Sequence, residues 1–250
     1  MLVTLSGCTM KITFSPPQDD AVWGCTYQHV TSSAADKNIK LCFVEVKDLH
    51  AFATALVEVV LDNSWITNLD DRYRRAYSKT VSQTAAKLVN TFNKTASGGN
   101  VESDFGETMV SMGSSRALEM LFTHLRIPLA ELWKPQISQN GGFDFHTTCL
   151  EKFINFGEAK YSSSANPYTD AISQAQDFLN DDKHLRDAPD LENLVDKQSM
   201  SYLDKDDFGV IAAFSVNAQK PELILANAFL AAQEMMKVKK IKNFYLVGVR

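Results

Sequence analysis

Three residues carry the strongest chemical signal in the sequence: Asp144 in GGFDFHTT, and Glu158 and Lys160 in INFGEAKY. Both segments read as strands, so side chains two apart share a face. Asp144 then stands beside His146, away from Phe143 and Phe145. Ile154, Phe156, Glu158 and Lys160 line one face of the next strand. A hairpin turning near Glu151 pairs residues whose numbers sum to about 302, which puts Asp144 opposite Glu158 with Cβ atoms roughly 4.5–5.5 Å apart. Two like charges in that position destabilise a sheet unless a positive charge joins them. Mg²⁺, with Mn²⁺ as a substitute, does so: it is held by one or two carboxylates, waters and substrate phosphate oxygens. Lys160 is placed to hold an attacking water and stabilise charge on phosphorus. The plainer reading is a surface E-x-K ion pair and a solvent-facing Asp. Against it, both carboxylates sit in strongly apolar strands, where an unpaired charge is costly. Gly157, with Gly141 and Gly142, leaves room for a backbone or ligand to approach.

Glu107 is the fourth candidate. Steps of three or four from it meet Val110, Ser114, Leu118, Leu121 and Leu125, so it begins the apolar stripe of a helix over 105–125. It is either a third carboxylate for the same cation or a first-turn acid complementing the helix dipole, with Asp104 as N-cap.

The elements that position these residues follow from periodicity. Residues 1–14 and 38–46 read as strands, and 47–62 and 69–93 as helices. SGGN at 97–100 is the clearest punctuation. It divides an N-terminal α/β region, 1–98, from a second region, 99–250. Within the latter, helix 105–125 precedes three strand-like runs, LWKPQIS, GGFDFHTT and KFINFGEAKY. Helix 168–180, an acidic irregular or helical stretch, strand 208–216, helix 222–237 and a last strand, NFYLVGV, complete the chain. The class is α/β with a mixed sheet, and from 105 to 216 the order is α-β-β-β-α-β.

Composition narrows the field. The chain has 250 residues, 45% hydrophobic and 22% charged, with 25 Lys and Arg against 30 Asp and Glu. These values fit a globular protein and exclude a disordered chain. No segment reaches the roughly 18–20 apolar residues of a membrane span. LSGC at Cys8 resembles a lipoprotein box but lacks a basic and an apolar lead-in, so a cytoplasmic protein is expected. The four cysteines are scattered and form no CxxC. Neither a phosphate-binding GxxxxGK[ST] nor a GxGxxG occurs. Cys149 and His146 lie three apart, which on a strand points them to opposite faces.

Charge is uneven. Residues 170–207 hold eleven acids against four bases. Residues 70–94 hold Arg72, Arg74, Arg75, Lys79, Lys87 and Lys94 against two acids, and 234–250 five bases against one. Basic segments like these are either solvated helix faces or phosphate contacts. Tyr73, Tyr77 and Trp65 near the first are either core residues or platforms for bases.

Taken in order, Glu107, Asp144 and the Glu158-Ala-Lys160 run resemble the PD-(D/E)xK nuclease superfamily. Its α-β-β-β-α-β core carries a Glu on a helix, an Asp on the second strand and E-x-K on the third. Phe143 stands where many members have Pro, and Gln174 resembles a polar residue some branches carry after E-x-K. DFGETMV at 104–110, the KPQ…GGFDFH run and FGEAKY at 156–161 resemble more closely the effector nucleases of Hachiman anti-phage defence systems. That resemblance covers roughly 100–220 and implies a restriction-endonuclease-like domain over 99–250. It also implies DNA as substrate, Glu107, Asp144 and Glu158 as metal ligands, Lys160 as a catalytic partner, and a helicase subunit that loads or licenses the nuclease. Region 1–98 would contact that partner or DNA. A silent nuclease-fold interaction module and a stand-alone restriction or repair nuclease are the alternatives.

Overall fold

In the computed structural model, which describes residues 2–5, 8–34, 36–98, 101, 103–133 and 142–250, the apolar runs at 209–215 and 243–249 are buried at every position. Strands covered on both faces must read this way. Strands β1 (Leu2–Leu5), β2 (Cys8–Phe14), β3 (Gln18–Asp20), β4 (Cys25–Ser32) and β5 (Ile39–Val46) come first. Helices α1 (Leu49–Leu61), α2 (Ser64–Thr67), α3 (Asp71–Gly98) and α4 (Ser103–Phe122) follow. Next come β6 (Leu125–Arg126), α5 (Ala130–Trp133), β7 (Phe145–Thr148), β8 (Ile154–Lys160) and α6 (Tyr168–Asn180). The chain ends with α7 (Lys183–Arg186), α8 (Ala188–Leu191), α9 (Lys197–Leu203), β9 (Gly209–Ser215), α10 (Pro221–Val238) and β10 (Asn243–Val249).

The described strands form one mixed sheet in the order β1-β2-β4-β5-β10-β9-β8-β7-β6, with β3 paired to β4. Its centre, β5-β10-β9-β8, is parallel and its wings are antiparallel. The sheet is therefore shared across the SGGN boundary, because β5 from the N-terminal region pairs with β10. Helices cover both faces. A side chain at Gly248 would meet Leu225 of α10, whereas its neighbour Val249 approaches Gly113 of α4. Successive strand residues point to opposite faces, so α10 and α4 lie on opposite sides. Helix α6 packs with α10.

The elements read from the sequence recur with shifted ends, and three readings change. Region 1–14 holds two antiparallel strands, β1 and β2, in place of one. LWKPQIS is not a described strand: Leu132 and Trp133 close α5, and 134–138 lie outside the described residues. The strand beside β7 is instead the short β6. The helix read as 105–125 starts at Ser103, so Asp104 lies in its first turn instead of capping it. Strand β4 went unread because its TYQHVTS pattern mixes polar and apolar residues on a strand that carries β5 on one edge and β2 and β3 on the other. Among the described residues, no helix is long and apolar enough to cross a membrane.

One close contact fixes α4 on the sheet. A Cβ at Gly106 would lie 2.2 Å from the Tyr161 ring, just past the end of β8. Only glycine lets the ring seat there. Gly106→Ala should lower stability by about 1–3 kcal/mol through overpacking, with partial recovery when Tyr161→Leu is added. Urea unfolding of the single and double variants checks this, and additive losses would show that the two do not touch.

Candidate active site

The register of the hairpin is the expected one from Phe145 onward: Phe145 pairs with Gly157, His146 with Phe156 and Thr148 with Ile154. At Asp144 the ladder breaks. Its amide donates to Gly157 O at 2.8 Å, and its Oδ2 accepts from Ala159 N at 2.7 Å. The carboxylate thus takes the place of a strand partner for Ala159, instead of standing squarely across from Glu158. The space at Gly157 is filled from within: a Cβ there would meet the Phe145 ring at 2.6 Å. Gly157 accommodates its cross-strand partner and not a ligand, and Gly141 lies outside the described residues.

The face of the site follows from lateral pairing. Lys160 pairs with Phe214 and Glu158 with Ala212 on β9, and Phe214 pairs with Gly248 on β10. Gly248 looks toward α10, and Phe214 meets Tyr168 of α6. Glu158 and Lys160 therefore lie on the α6–α10 side. On the same side Phe156 meets His146, His184 and Phe208.

Glu158 is fully buried, at 0% exposure. Lys160 Nζ lies 2.8 Å from its Oε1. That is ion-pair distance, yet neither carboxylate oxygen receives a well-directed hydrogen bond among the described residues. Burial, then the neighbouring Asp144 charge, push the Glu158 carboxyl up to about 8 against the pull of Lys160. Burial pulls Lys160 down, but the Glu158 carboxylate outweighs it, so Lys160 ends above its ordinary value. A buried acid paired with a half-buried ammonium is not the exposed ion pair that a lone E-x-K usually makes.

Glu107 does not face the core. It is exposed in the first turn of α4, on the opposite side of the sheet from Glu158. It acts on Glu158 and Lys160 only through its charge, as the smallest contribution to each. Among the described residues no three His, Cys, Asp or Glu side chains form a ready-made metal cage. The donor set that fits a cation is Glu158 with Asp144. It suits Mg²⁺ or Mn²⁺, which takes few protein oxygens and keeps water and phosphate for the rest. Gln174 is half-buried on α6.

Sequence reasoning missed one feature on this face. His146 Nε2 lies 2.9 Å from Asp187 Oδ2, and both side chains are buried. The pair ties the acidic stretch to β7, two residues from Asp144. His146 was visible as a same-face neighbour of Asp144, but nothing local marks Asp187, forty-one residues on. The acidic stretch itself folds into α7, α8 and α9, which bury His184, Leu191 and Leu203. Cys149 is buried, and burial holds its thiol above the ordinary range. Tyr77 is buried in the core and stacks on Tyr73 beside Trp65, and these two are half-buried against it.

No protein-family model matches the chain, and no curated protein or solved structure is significantly similar to it.

The raised carboxyl has a sign that can be checked. Its folded value lies above its unfolded one, so its contribution to stability is full below about pH 4.5 and lost as pH rises through about 8. In EDTA, the wild type should lose on the order of 2–4 kcal/mol across that window relative to Glu158→Gln. Urea unfolding at a series of pH values checks it. Parallel curves for the two proteins would mean Glu158 is not held protonated by its surroundings.

Proposed function

We propose that this chain is a metal-dependent DNA nuclease, the effector of an anti-phage defence complex that includes a helicase. The observation that carries the nuclease reading is the fully buried Glu158 carboxylate, paired with Lys160 at 2.8 Å and close enough to Asp144 to feel its charge. With the short helices α5 and α7–α9 set aside, the order α4, β6, β7, β8, α6, β9 supports a restriction-endonuclease-like core. So does the packing of Gly106 in the 104–110 motif against Tyr161 in the 156–161 motif. Defence and the helicase rest on the resemblance of those motifs alone.

In this reading Glu158 and Asp144 hold the cation. The Ala159 amide fixes the Asp144 carboxylate, so one donor is oriented before anything binds. A bound Mg²⁺ or Mn²⁺ would neutralise phosphoryl charge and bring a water nearer to hydroxide at neutral pH. Lys160, held charged by its acidic neighbours, directs the water oxygen at phosphorus. It also stabilises the negative charge that builds as the new P–O bond forms and the bond to the leaving oxygen breaks. Glu107, exposed in the first turn of α4, adds only its charge.

The absence of a third clustered ligand among the described residues favours one competitor, a silent interaction module. Plasmid cleavage with Mg²⁺ or EDTA, with and without a partner ATPase, separates the two. Glu158→Ala/Lys160→Ala should abolish cutting. Lys160→Ala alone should slow it on the order of 10²-fold or more, and Glu107→Gln should cost less than either. Cutting that survives in the double variant, or in EDTA, would place the chemistry elsewhere. No cutting by the wild type under any condition would leave the silent module.

Metal binding has a readout apart from activity. Mn²⁺ at about 100 times its dissociation constant should stabilise the wild type by roughly 2.7 kcal/mol and leave Glu158→Gln unmoved. Equal stabilisation of both would remove Glu158 from the site.

A further inference from the structure

Of the two basic segments in the sequence, one is largely neutralised. Lys237 pairs with Glu234, Lys242 with Asp207 and Arg250 with Glu45. Helix α3 is different. Six bases face one acid, and that acid, Asp71, is taken by Arg74. Arg72, Arg75, Lys79, Lys87 and Lys94 are exposed. Arg72 lies over the Tyr73 ring, and the other four have no acidic partner among the described residues. At 100° per residue these five fall on one arc, opposite the buried Tyr77, Val81, Ala85 and Phe92. From Arg72 to Lys94 the stripe runs about 33 Å at 1.5 Å per residue, close to the roughly 34 Å of one duplex turn.

We propose that this stripe binds the phosphate backbone of duplex DNA. This deepens the nuclease reading by naming its substrate. Cations without acidic partners, aligned on one face of a helix, gain affinity by releasing condensed counterions. A protein partner would call for an apolar anchor amid the charge, and no large exposed hydrophobic residue lies on α3. A single strand would call for free aromatic platforms, and the local aromatics pack on one another. Helix α3 is held on α4 by the face opposite the stripe, where Phe92 meets Phe105.

The test is fluorescence anisotropy on a labelled duplex of about three turns, in EDTA, with salt varied from roughly 50 to 200 mM. Without metal, binding is read apart from cleavage, so this inference and the nuclease reading can fail separately. Arg75→Gln/Lys79→Gln/Lys87→Gln should weaken binding at least tenfold and shrink the slope of log K against log salt by roughly 2–3, about 0.9 per lost contact. All three sites are exposed, so the thermal midpoint should match the wild type. A control, Lys237→Gln, whose ammonium is held by Glu234, should bind as the wild type does. Should the triple variant fold poorly, Lys79→Gln alone should reduce the slope by about 0.9. An unchanged slope in the α3 variants would overturn the proposal. Tighter binding of a single strand, or equal binding of polyglutamate, would overturn it as well.

Discussion

The arrangement turns on one buried charge. Glu158 sits in β8 between two sheet neighbours, with no exposed surface and no well-directed donor on either oxygen among the described residues. Leaving a carboxylate so costs several kcal/mol unless it is neutralised or paired. Three responses are open: a proton, Lys160, or a cation from outside. The first two already compete, as the raised carboxyl and the raised ammonium show. The third brings Asp144, whose nearby charge worsens the cost while the site holds no cation, into use as a second ligand.

The fold is organised to hold that charge in place. Parallel strands β8, β9 and β10 supply a rigid apolar floor on which Glu158 neighbours the small Ala212. The hairpin ends in a break where Asp144 replaces a main-chain partner for Ala159. Helix α4 is locked behind the sheet by Gly106 under Tyr161, and the His146–Asp187 pair anchors the acidic helices in front. Each contact would be expensive to undo, which keeps two like charges near one another without a ligand to join them.

Much of this was legible in the sequence, for physical reasons. A turn near Glu151 gave the hairpin register that holds from Phe145 onward, and a slip of one residue would turn Glu158 to the other face. The alternation fails at Phe143, which meets Phe156 and Phe178 on the face opposite Phe145. The break at Asp144 was not legible, since it depends on a side chain outcompeting a main-chain acceptor. The helical stripe led from Glu107 to Val110 and Ser114, both buried, but its first member stays exposed while its neighbours Phe105 and Gly106 are buried. The His146–Asp187 pair and the sharing of one sheet by both halves of the chain are long-range pairings that no local pattern announces. The α3 charges were visible as a cluster. Only the packing shows that they form a single stripe without acidic partners.

The most direct measurement of the central claim is a crystal of the protein soaked in Mn²⁺ and read by anomalous scattering at the manganese edge. The account predicts a peak bonded to Glu158 and Asp144 oxygens at about 2.0–2.2 Å, in the range of the hard octahedral divalent cations, with Lys160 turned away from Glu158 Oε1. No peak at saturating metal, with the Glu158–Lys160 pair intact, would contradict it.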